Sequence, residues 1–220
     1  MIGRTGALVS FLLNALALPA DPADAYSVEF LRDPAPPAVA EPVRALLSPS
    51  GLRVLDGGKP ALDFWFRTAL LTVETKSEKG VRYGMLKPGA LVGVVRVHDG
   101  TTDFRAQRLG PGLYTMRYAI QPDDGDHQDM TEARDFLLLS AIADDLSPDT
   151  LELKALVRQS AKLNGKKHPG VLSLAAGQDG PLPRIRRRGA PEQVVLDAEV
   201  PISGGMPLRL TIVVVGKYKE

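Results

Sequence analysis

Cysteine is absent from the 220 residues, tryptophan occurs once and histidine three times. Without cysteine there is no disulfide, thiolate zinc site, iron–sulfur cluster, cysteine nucleophile or cupredoxin-type copper site. Three histidines leave no spare ligands for a multi-histidine metal centre. Aromatic residues make up 5%, which argues against a sugar site built from several rings. The net charge is +1, too small for a nucleic-acid binder that works by bulk charge. There is no Gly-x-Ser-x-Gly elbow, and Gly57-Gly58-Lys59 lacks P-loop spacing. No reaction can be read from the chain, and the enzyme reading is the weaker one.

What is present is apolar residue in quantity: 44%, with 24% charged, enough for a core without disulfides. Met1–Arg4 carries one positive charge. Thr5 to Leu18 is almost wholly apolar or small, and Ala23-Asp24-Ala25 is a small-x-small site. This is the pattern of a cleaved signal peptide over residues 1–25, and the apolar run is short for a membrane span. The alternative is a buried N-terminal helix. The expected mature chain is a single domain over 26–220, exported to the periplasm or outside. It has no transmembrane anchor after cleavage.

Along the mature chain, short alternating runs fall at 26–32, 51–56, 61–68, 89–98, 103–107, 113–121, 135–143, 171–175, 193–202 and 207–215. Glycine, proline and aspartate punctuate them. Residues 33–42 carry four prolines and read as a stiff linker or edge segment, and Val43–Leu47 as a helical turn. Ser203-Gly204-Gly205 reads as a hairpin. One helix is expected over about 148–164, capped by Ser147, with Pro148 first and Gly165 as the left-handed stop. The predicted fold is mainly β: an immunoglobulin-like or transthyretin-like two-layer sandwich with that one inserted helix.

Residues 109–121 are the most informative. A tyrosine after Gly110-Pro111-Gly112, opening an alternating strand, suits the tyrosine corner of Greek-key sandwiches. Tyr114, Met116, Tyr118 and Ile120 should face the core, with Thr115 and Arg117 facing out. The run at 135–143 is apolar on both faces and should be a covered central strand. If it pairs with 113–121, then 122–134 is a loop at one end of the sandwich, where recognition loops gather.

The strings Gly112-x-Tyr114-Thr115-x-Arg117-Tyr118, Gln121-Pro122-x-Asp124-Gly125-Asp126-His127 and Arg134-Asp135-Phe136 resemble a pattern in uncharacterised secreted bacterial proteins. The resemblance extends to Gly51–Arg67 and Tyr83–Val97. It implies export and a β-rich fold, and no mechanism.

The candidate site is the loop QPDDGDHQDMTEARD, residues 121–135. It gathers Asp123, Asp124, Asp126, His127, Asp129 and Glu132. Crowded carboxylates need a cation or hydrogen-bond donors. Ligand or partner contact is assigned to Asp124, Asp126, His127, Arg117, Arg134 and Trp65. A divalent metal (calcium, zinc or copper) is the one cofactor the residues suggest, on Asp124, Asp126, His127 and Asp129 with His98. The loop fails the EF-hand spacing, and a solvated loop with turn-capping aspartates is the plainer alternative. Trp65 shares a face with Asp63 and Arg67. It is either an exposed platform or a ring covered by a loop or the helix. Arg184–Arg188 reads as a solvated basic loop, or one touching an anionic envelope surface, without the wider basic face that nucleic acid requires.

The expected function is therefore a non-enzymatic exported binding or accessory domain. Its partner is an unknown protein or small molecule in the cell envelope, recognised by the 122–134 loop. One alternative is a metal site, structural or hydrolytic. Another is a structural module of an envelope assembly, joined through sheet edges such as the two C-terminal runs.

Overall fold

The computed structural model describes residues 25–75, 77–103, 107–122, 133–165, 168–189 and 193–216. Twelve strands are defined among them: β1 Tyr26–Leu31, β2 Gly51–Asp56, β3 Lys59–Phe66, β4 Leu91–Val97, β5 Thr101–Thr102, β6 Arg108–Leu109, β7 Gly112–Ile120, β8 Asp135–Ala141, β9 Val171–Ser173, β10 Arg184–Arg188, β11 Gln193–Val200 and β12 Leu208–Val215. Two α-helices are defined, α1 Glu41–Arg44 and α2 Leu153–Ala161. No helix among the described residues is long and apolar enough to cross a membrane.

Seven strands form one antiparallel sheet in the order β1-β2-β3-β4-β7-β8-β9, and three form a second, β10-β11-β12. Sequence neighbours are spatial neighbours within each sheet, so both are meanders. The period-2 pattern decides what lies between them. Leu62, Phe64 and Phe66 of β3, Met116 and Tyr118 of β7 and Leu137 and Leu139 of β8 point to one side. They meet Leu196, Ala198, Leu210 and Ile212 of the small sheet in one buried cluster. The mainly β, two-layer reading with one inserted helix holds.

The outer face of the large sheet is also covered, which explains why its strands are apolar on both sides. Residues 33–47 are not a linker. Ala35, Val39, Val43 and Leu47 pack on Trp65, Leu91 and Val94. The helix α2 seats Leu156 on Ala119, Phe136 and Leu138. β8 is bonded to β7 and β9 and is buried on both faces, as a central strand should be.

The tyrosine corner forms: the Tyr114 hydroxyl donates to the Gly110 carbonyl at 2.8 Å. Replacing Tyr114 with Phe should cost about 1 kcal/mol, the net worth of one such bond. At this chain length that is about 2–4 °C in Tm, measurable by thermal unfolding.

Two expectations need correction, the start of the helix and the state of Arg184–Arg188. Of the expected run at 103–107, residues 104–106 lie outside the described residues; the flanking pairs β5 and β6 form a small ribbon, and buried Asp103 accepts the Gln107 backbone N–H at 2.9 Å. The helix starts at Leu153, not Pro148, because the carbonyls of Ser147 and Asp149 are drawn to Arg117, as described below. Its end is as expected: a 3₁₀ turn over Lys162–Asn164 and then Gly165 at φ 67°. Arg184–Arg188 is a strand, not a loop. Of the two C-terminal runs, β11 is the middle strand and β12 an edge, which Leu174 bridges at Ile212 and Ala175 N–H meets at the Thr211 carbonyl. The Ser203–Gly205 turn joins β11 to β12, with Gly204 at φ 78°.

Candidate functional site: the loop end and its supports

Strand register fixes which end of the sandwich carries the candidate loop. Phe66 pairs with Gly93, Leu91 pairs with Arg117, and Ile120 pairs with Asp135. The C-terminal end of β3, the start of β4 and the roots of the 122–134 loop therefore lie at one end of the large sheet. The roots are tied twice: Gln121 N–H donates to the Arg134 carbonyl, and Arg134 Nε donates to the Gln121 carbonyl, both at 2.8 Å. Arg134 N–H also donates to Gly80, and its Nη1 donates to Lys79. With a side chain only 21% exposed, Arg134 acts as the clamp at the root of the loop. Asp124, Asp126, His127 and Asp129 lie outside the described residues.

His98 sits elsewhere. It follows Val97, whose partner Gly112 opens β7, at the opposite end of the sheet from Gln121. The separation is about 30 Å along the strand at ~3.3 Å per residue. There His98 Nε2 lies 2.9 Å from Asp63 Oδ2. Among the described residues no group of three histidine, aspartate or glutamate side chains is placed to hold a metal.

Arg117 and Trp65 are on the outer face as the alternation predicts, yet neither reaches solvent. Arg117 is fully buried beneath residues 145–149. Its Nε and Nη2 grip Asp145 at 2.7 and 2.8 Å. Nη2 also donates to Ser147 O at 2.6 Å, and Nη1 donates to Gly89 O and Asp149 O. Thr115 Oγ1 completes the Asp145 shell at 2.6 Å. These carbonyls must face inward to meet the guanidinium, so residues 147–149 cannot turn into the helix that Ser147-Pro148 would otherwise begin. Trp65 is 1% exposed, with Nε1 donating to the Asp33 carbonyl at 2.8 Å and Arg96 stacked 5.5 Å from the ring. Both residues are supports of the frame, not contact surfaces.

Five buried aspartates in the described residues are each met by donors. Asp145 and Asp103 are described above. Asp63 takes a bidentate pair from Arg53 at 2.7 and 3.0 Å, and His98. Asp135 accepts the Tyr118 hydroxyl at 2.7 Å and the backbone N–H groups of Arg82 and Tyr83. Asp197 accepts Arg184, Arg186 and Thr211. The last set explains the basic strand: Arg184 and Arg186 project from β10 over a carboxylate on β11, while Ile185 packs inward. Sequence reading missed these pairs. The available signal was an aspartate inside an apolar run, as in Ala61-Leu62-Asp63-Phe64 and Val195-Leu196-Asp197-Ala198. A charge there requires a partner from another strand.

Burial pushes Asp63 and Asp197 up, but donor hydrogen bonds and cation charge outweigh it and hold both below the ordinary value of 3.8. Groups whose folded value is depressed stabilise the fold above the unfolded value and lose that contribution as pH falls through the folded one. Tm should therefore be flat between about pH 7 and 5 and fall below about pH 4. Asp197→Asn should lower Tm at neutral pH and flatten the acid limb, as read by thermal unfolding across pH. An unchanged acid limb would contradict the assignment.

At the loop end the two sheets also part. An open cleft of about 540 Å³ lies between the ends of β1–β3 and the ends of β10 and β11. Phe30, Leu52 and Phe66 line it with Leu182, Pro183 and Pro201, and Ser48, Ser50, Thr68, Arg67, Glu199 and Arg209 add polar groups. Phe30 is 71% exposed there. The cleft exists because three strands cannot cover seven; on the inner face of β1, Tyr26 and Val28 still pack on the core while Phe30 is left exposed. No protein family, curated protein or solved structure matches the chain.

Proposed function

We propose that this is an exported, non-enzymatic binding or accessory domain that meets its partner with the end of the sandwich bearing the 122–134 loop. The observation that carries the reading is the coincidence at that end of two features. One is a loop root clamped by Arg134; the other is the open cleft. Rigid framing of an acidic loop beside a concave surface is how sandwich folds present recognition elements. Export rests on the N-terminal pattern and on the resemblance to secreted proteins. The partner is an envelope protein or a small molecule.

The test replaces residues 123–132 with a short Gly-Ser linker in the mature chain. Tm should change by no more than a few degrees, because Arg134 and Gln121 close the root without the loop. Photo-crosslinking in the native envelope should give an adduct with the natural chain that the loop variant loses. The same adduct from both proteins would contradict the reading.

A further inference from the structure

The two main sheets end in β1, β9, β10 and β12. Three of these edges are protected. β9 has only three residues. β10 carries four arginines, and charge on an edge discourages pairing. β12 is met along its edge by Leu174, Ala175 and the Tyr83 hydroxyl. β1 has none of these devices. It runs for six residues without proline, lysine or a bulge, and Glu29 is its one charge. β10 comes close to it at the corner of the sandwich but does not pair with it.

The Ala25 carbonyl accepts the Gly57 N–H where β1 meets β2. An antiparallel ladder alternates, so Ser27, Glu29 and Leu31 bond to β2 while the backbone groups of Tyr26, Val28 and Phe30 turn to the free side. No other element among the described residues donates to them or accepts from them. The side chains of the same three residues face inward: Tyr26 and Val28 pack on the core, and Phe30 is left exposed.

A second β1 fits this edge in one register better than in its neighbours. With Val28 on a two-fold axis, each outward-turned residue exchanges both of its bonds with the second copy. Tyr26 then lies opposite Phe30 of the second copy, an aromatic cross-strand pair that covers the exposed ring and is made twice by symmetry. Ser27 lies opposite Glu29 of the second copy. A slip of two residues one way sets the two Glu29 carboxylates against each other; the same slip the other way leaves Phe30 opposite residue 24, outside β1.

We infer that β1 is a dimer edge, where two copies of the chain join antiparallel about a two-fold at Val28 and continue the seven-stranded sheet across the interface. The antiparallel pairing points the two 122–134 ends in opposite directions. The inference does not rest on what that loop binds.

The chain has no cysteine, so engineered thiols report the register without background. In protein expressed from the full sequence, Ser27→Cys mixed with Glu29→Cys should form an interchain disulfide roughly tenfold faster, or more, than either variant alone. Opposed residues lie within disulfide reach, whereas identical positions are offset by two residues and their Cα atoms lie beyond about 7 Å. Sedimentation equilibrium of the natural chain should show a concentration-dependent dimer. Val28→Pro removes an outward N–H, and Phe30→Lys puts a charge on the edge at an exposed position. Each should weaken the dimer by roughly tenfold or more while the circular dichroism stays that of the folded chain. A monomer at every concentration, a dimer indifferent to both variants, or a disulfide no faster in the mixture than in either variant alone would overturn the assignment.

Discussion

Replacing Arg117 with Met should destabilise the protein by about 3–5 kcal/mol, the cost of breaking a buried ion pair by removing one partner. The side chain is fully buried and every donor is used. Its loss leaves Asp145 as a buried carboxylate with only Thr115 for support. It also removes the guanidinium donors from the carbonyls of Ser147 and Asp149, and from that of Gly89, which keeps the Leu151 N–H. At this chain length the loss corresponds to a Tm lower by roughly 10 °C or more. Pairing it with Asp145→Leu should recover part of the loss, because the uncompensated charge goes with its partner. Denaturant unfolding of the two single variants and the double variant gives the coupling directly. A loss under about 1 kcal/mol for Arg117→Met would mean that the 145–149 strap is not held by this pair.

Trp65→Ala is the second large effect, at about 3–5 kcal/mol. Trp65 is among the largest fully buried side chains and carries the contact between the large sheet and residues 33–47. Truncation should loosen that strap, since Ala35, Val39 and Val43 pack in the same cluster. Limited proteolysis should then cut within 33–47, where the natural chain resists. Trp65→Phe keeps most of the apolar area and loses the bond to Asp33, so it should cost much less than Trp65→Ala. Equal losses for the two variants would place the energy in the hydrogen bond and not in the packing.

The strands whose apolar residues alternate were legible in the sequence. β2 falls at 51–56 as expected, and β7, β8, β11 and β12 fall within a few residues of their predicted bounds. The corner at Tyr114 was legible because a phenol two residues past a Pro-Gly turn has one obvious carbonyl to reach. What failed has one physical cause. Periodicity reports what a residue does relative to its own strand, and it is blind to partners contributed by other elements. The Arg184–Arg188 run looks solvated until Asp197 is placed across from it. Ser147-Pro148 looks like a helix start until Arg117, 30 residues earlier in the chain, claims the Ser147 carbonyl. The same blindness made Trp65 and Arg117 candidates for contact. Both are polar or aromatic on the outward face of a strand, and only the straps at 33–47 and 145–149 reveal that this face is interior. The candidate loop was legible in composition, and the structure adds the clamp at its root and a cleft at the same end of the sandwich.

The central claim is a frame held by its own buried pairs and core, leaving the acidic loop for partner contact. It is tested most directly by metal content and thermal unfolding of the chain from Tyr26 onward, with and without chelator. The account predicts no stoichiometric metal and an unchanged Tm on chelation or on addition of calcium, zinc or copper. Stoichiometric metal, with a large fall in Tm when it is removed, would contradict it and make Asp124, Asp126, His127 and Asp129 the ligands to mutate.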